Sequence, residues 1–139
     1  MKRIVLALAL SAVGVPITAL AAPSSQPAVD AYYHDMLAIT HEANKAGETC
    51  LSSLTDHRAS ASTAPCRTFE QRYKYAVDQS EILAARLKLA GQTLHRSDPR
   101  LAQLTRATET LNHSMDSYQA RQSPDEQEGV MHLMEEPAH

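Results

Sequence analysis

Two cysteines sit at the facing ends of two long apolar repeats, and few folds accommodate that arrangement. Val29, Tyr33, Met36, Thr40, Ala43, Gly47, Cys50 and Leu54 are spaced alternately four and three. Cys66, Phe69, Tyr73, Ala76, Ser80, Leu83, Leu87 and Ala90 repeat the same alternation. That spacing is the stripe of a helix packed on other helices. Between the stripes lies a Ser/Thr/Ala-rich segment that ends in Pro65 and has no apolar period. Cys50 and Cys66 are the only cysteines. They are too far apart for a redox or haem-attachment motif, and in an oxidising compartment they predict a disulfide. It would close the loop between two antiparallel helices.

The remaining punctuation extends the pattern. Val29 to Leu54 predicts a first helix over about 28–54, with Asp30 suiting its positive end. Gly47 lies inside the stripe, where it costs about 1 kcal/mol against alanine; it marks a close helix approach or a frayed turn. Thr63 and Pro65 fit the start of a second helix, which runs to about Ala90 before Gly91 stops it. Ser97-Asp98-Pro99 is another start signal. Leu101, Leu104, Thr108, Leu111, Met115 and Tyr118 then give a third helix, ending near Arg121. Ser123-Pro124-Asp125-Glu126 has capping-box spacing and opens a short fourth helix or tail. The expected fold is all-α: an antiparallel up-down-up three-helix bundle with that short fourth segment, stapled by one disulfide. Cys50, Cys66, Phe69, Tyr73 and Tyr118 should gather at one end, and Tyr33, Met36, Leu87, Leu101 and Leu104 at the other. The lean middle layers, Ala43, Gly47, Ala76, Ser80 and Thr108, imply close helices, because protein interiors are close-packed.

The N-terminus carries an address. Lys2 and Arg3 precede an apolar run from Ile4 to Val15, and Ala19-Leu20-Ala21 is a small-x-small cleavage site. This is the pattern of a secretory signal over 1–21, with the processed chain beginning at Ala22. The apolar run is short for a span of about 20 residues, so no stable membrane insertion is expected after cleavage. Residues 22–28 read as a flexible leader, 29–121 as the bundle and 122–139 as an acidic segment. The expected location is periplasmic or secreted, by bacterial export.

Charge narrows the partners. The full chain has a net charge of −3, and removing Lys2 and Arg3 with the signal makes it more acidic. Phosphate contacts dominate nucleic-acid affinity, so nucleic acid is a poor partner. The acidic 122–139 segment instead favours a basic protein.

Chemistry-bearing residues are scattered. His34 and His41 share a helix face with Asp35 and Glu42 beside them, but two turns separate them, too far to chelate one ion alone. His113, Met115, Met131, His132, Met134, Glu135, Glu136 and His139 offer imidazole and thioether, a set suited to copper, although methionine at helical spacing is ordinary core filler. Met36 and Met115 lie on core stripes without a histidine, which argues against an axial haem pair. Ser52, Ser53, Asp56 and His57 crowd one loop without the preorganisation a nucleophile needs. No catalytic residue, cofactor or metal is therefore assigned. The sequence points to a non-enzymatic exported protein that binds a protein partner through the 51–65 loop or the acidic tail. The competing reading is an envelope metal-binding protein using His113, Met131, His132 and Met134.

Overall fold

The computed structural model describes residues 3–4, 26–55 and 63–122. Most of the expected signal, part of the leader, the centre of the cysteine-bounded loop and the proposed fourth segment lie outside them. The described chain forms three helices: α1 over Pro27–Thr55, α2 over Ala64–Leu89 and α3 over Pro99–Gln119. α1 starts inside the stretch read as a leader. Pro27 suits a first helical turn, and the Gln92 side chain accepts from the backbone N–H groups of Ala28 and Val29 at 3.0 and 3.2 Å. Donors that a helix start leaves open are thereby satisfied from another part of the chain.

The other ends follow local rules. Gly91 takes a positive φ of 64°. Gly91 N–H then donates to Lys88 and Gln92 N–H to Leu87, each at 3.1 Å, the paired bonds of a Schellman stop. Asp98 caps α3 by accepting from Arg100 N–H at 2.9 Å. Thr63 occupies the cap position of α2, but its side chain makes no capping bond. Its carbonyl instead accepts from the N–H groups of Cys66 and Arg67 at 3.1 and 3.0 Å.

Two apolar clusters form the core, divided as the helical register predicts. One holds Ala43, Cys50, Cys66, Phe69, Tyr73, Ala76, Val77, Leu111, Met115 and Tyr118, together with Ile4 from the N-terminus. The other holds Val29, Tyr32, Tyr33, Met36, Leu83, Leu87, Leu94, Leu101 and Leu104. The end of α1 thus meets the start of α2, and its start meets the end of α2, so neighbours are antiparallel. Cys50 and Cys66 are disulfide-bonded, with Cα atoms 4.5 Å apart. Ile4 aside, the described part of both clusters comes from the three helices and the α2–α3 connection.

The lean middle is close-packed where Gly47 sits. A Cβ there would lie 2.9 Å from Cε2 of Phe69; the glycine therefore marks an approach, not fraying. The same level is polar on the α3 side. Thr40 is fully buried and Thr108 nearly so, and Asn44 donates to the Ala107 carbonyl at 2.9 Å. Both α2 and α3 run along α1. Among the described residues they meet each other mainly through side chains: Phe69 edge-on to Tyr118, with centroids 6.0 Å apart, and Tyr73 donating to Asn112 at 2.9 Å.

Candidate functional site

The histidines do not converge. His34, His41, His95 and His113 are all exposed, and His34 pairs with its neighbour Asp35 at 3.0 Å. His113 faces outward while Met115 is 1% exposed in the core, so that pair is split across α3. Met36 and Met115 belong to different clusters. Among the described residues no three of His, Cys, Asp and Glu come together to hold a metal ion. Met131, His132, Met134, Glu135, Glu136 and His139 lie outside the described residues. So do Asp56 and His57. Ser53 lies beside the bridge, donating to the Cys50 carbonyl at 2.6 Å, while Ser52 is exposed.

Three polar groupings were not legible from spacing. At the open end, away from the disulfide, Arg100 pairs with Asp98 and with Asp30, both at 2.8 Å, and lies 4.5 Å above the Tyr33 ring. The guanidinium holds the Asp98 carboxyl below its ordinary value, and the two carboxylates hold Arg100 more firmly charged. Burial pushes Tyr33 up to about 12; Asp98 adds to that and Arg100 offsets part of it. Its hydroxyl has no hydrogen-bond partner among the described residues. Asp30, Asp98 and Arg100 each lie within about one turn of a helix start, so the cluster fastens α3 to α1.

At the disulfide end, Tyr118 donates to the Glu70 carboxylate. Burial raises Glu70 above the ordinary carboxylate value, although the Tyr118 bond and Arg67 pull it down. Phe69 stands edge-on to both Tyr73 and Tyr118. These contacts brace the bridge, and nothing in them arranges a nucleophile beside a base.

The third grouping lies between α2 and α3. Ile4 is buried there, 6% exposed. Its carbonyl accepts from Asn112 at 3.5 Å. Arg3 pairs with Asp116 at 3.5 Å. Burial raises the Tyr73 hydroxyl above its ordinary value and Asp116 adds to that, while the Ile4 backbone and Arg3 act against them. Two successive residues of the chain are thus held by their backbone, by an apolar side chain and by a charge.

The outer face of α2 carries one further feature. Tyr75, Ile82 and Leu89 are exposed large apolar residues, 48%, 43% and 89%. They recur every seventh residue, so they form one line along the helix, opposite its buried face. Single exposed apolar residues are normal; these three lie in a straight row on one helix. By helical spacing, Arg72 and Arg86 flank it on one side and Gln71 and Asp78 on the other. The sequence signal was present in the seven-residue recurrence off the core stripe. Among the described residues no helix is long and apolar enough to cross a membrane.

Comparison of the chain with family models, with curated proteins and with solved structures finds no match.

Proposed function

We propose that this is a small exported helical protein that acts by binding a protein partner in the bacterial envelope, as an inhibitor, an immunity-type neutraliser or an accessory protein. The observation that carries this reading is the row Tyr75, Ile82 and Leu89 on the outside of α2. The disulfide near its start and the Gly91 stop at its end fix that helix, so little ordering is needed when a partner docks. The secretory pattern of residues 1–21 and the disulfide both suit an oxidising compartment. The chain's net charge of −3 favours a basic partner.

Export and binding are tested separately. N-terminal sequencing of the protein recovered from the periplasm should start at Ala22; material starting at Met1 argues against export. For binding, the tagged chain and its Ile82→Glu and Leu89→Glu variants are used to capture envelope proteins. A partner retained by the parent and lost by both variants supports the reading. Equal capture by all three removes α2 as the working face.

A further inference from the structure

The place between α2 and α3 where Arg3 and Ile4 sit has the make-up of a peptide-binding seat. It reads three properties at once. The apolar cluster around Tyr73 and Val77 takes the Ile4 side chain. Asn112, itself hydrogen-bonded to Tyr73 at 2.9 Å, donates to the carbonyl of the same residue at 3.5 Å. Asp116 takes the cation that precedes it. A seat that takes a backbone carbonyl together with the side chain of the same residue holds any chain of matching side chains, because backbone bonds supply affinity and the apolar lining supplies selection. The two helices forming it approach each other mainly through these side chains, so a segment fits between them without parting the bundle.

We propose that this seat is a docking site for a partner polypeptide segment in which a basic residue is followed by a β-branched aliphatic residue, and that Arg3 and Ile4 occupy it in cis until they are removed. The inference rests on the proposed export: both residues lie in the expected signal, and cleavage before Ala22 takes them away. What remains is the apolar lining around Tyr73 and Val77, with the Asn112 amide and the Asp116 carboxylate beside it. A partner carrying the same pair of residues restores every contact that Arg3 and Ile4 made. The preference for a basic segment follows from Asp116 and agrees with the acidic balance of the chain.

The test uses a fluorescent amidated peptide with the sequence of residues 2–7, titrated by anisotropy into the 22–139 chain and into the full chain. The 22–139 chain is first checked for helical content by circular dichroism. It should bind the peptide saturably. The full chain should bind about tenfold or more weakly, because a tethered segment competes at an effective concentration in the millimolar range. Replacing the peptide's isoleucine by aspartate should weaken binding by about tenfold or more, the worth of one buried aliphatic side chain. Asn112→Ala and Asp116→Lys in the 22–139 chain should each weaken it as well. No saturable binding to a folded 22–139 chain overturns the proposal, as does equal affinity for the two chains. A 22–139 dimer that excludes the peptide also overturns it, by putting a second copy in the seat. A chain found by sequencing to begin at Ala22 that ignores the peptide sinks this inference alone and leaves export standing.

Discussion

The two ends of the bundle solve the same problem with different chemistry. Where α1 hands over to α2, the turn is held by the Cys50–Cys66 bridge over a knot of Phe69, Tyr73 and Tyr118. Where α2 hands over to α3, the connection holds itself. Gly91 makes the turn, Gln92 caps α1, Leu94 is buried in the second cluster, and Asp98 caps α3. Arg100 then ties Asp98 to Asp30 across the helices. The residues between Thr55 and Thr63 offer little apolar sequence to anchor them, apart from alanine, and there the cross-link takes over. A connection that carries its own caps and an apolar anchor needs no covalent help.

Breaking the bridge is the largest test of that contrast. Replacing Cys50 and Cys66 together by alanine should lower stability by about 3 kcal/mol, the chain-entropy value for a closed loop of this order. Thermal melts read it, and an unchanged midpoint would mean that the aromatic knot suffices. The second test stays at the same end. Gly47→Ala gains about 1 kcal/mol of helix propensity but places a Cβ 2.9 Å from the Phe69 ring. Tyr73 and Tyr118 hem that ring in, and overpacking costs typically about 1–3 kcal/mol. The net effect should be a loss of up to about 2 kcal/mol in urea unfolding. A gain would show that Phe69 has room to move.

The contrast also explains what the sequence could say. The apolar stripes placed every member of the aromatic knot and paired the cysteines, because periodicity encodes which face turns inward. It separated the two clusters for the same reason. Gln92 was invisible: its partners are 64 and 63 residues away, and glutamine in a connection has no pattern. Arg100 was likewise one charge among many until Asp30 came beside it. The Ile4 seat needed three elements brought together, two helix faces and a segment whose sequence reads only as an address. Spacing within a helix reports burial, whereas polar fits between distant segments follow from the fold.

At the self-held end the effect should be smaller. Gln92→Ala leaves the N–H groups of Ala28 and Val29 without their acceptor and should cost about 1 kcal/mol, the usual worth of a helix cap. Hydrogen exchange should show the loss as faster opening of the first turn of α1, with the amides around Cys50 unchanged. Equal acceleration at both ends would mean that the bundle opens as one unit and that the two ends are not separately held.

The smallest effect separates the ends by sign. Glu70 has its folded value raised by burial, from an ordinary 4.5. Its contribution is therefore fully present below 4.5 and is lost as pH rises through the raised value. Asp98 has its folded value lowered by Arg100, from an ordinary 3.8. Its contribution is present above 3.8 and is lost as pH falls through the lowered value. Mild acid should thus strengthen the disulfide end, and stronger acid should weaken the capped end. Glu70→Gln keeps an acceptor for Tyr118 while removing the ionisation, so it should flatten stability on the neutral side of 4.5. Asp98→Asn should flatten it on the acid side of 3.8, because its amide cannot form the ion pair with Arg100. Urea midpoints measured from neutral to acid pH separate the two slopes, and identical changes in both variants would mean that the carboxylates titrate as ordinary surface groups. Water reaches part of the Glu70 side chain and screens it, so its slope should be shallow.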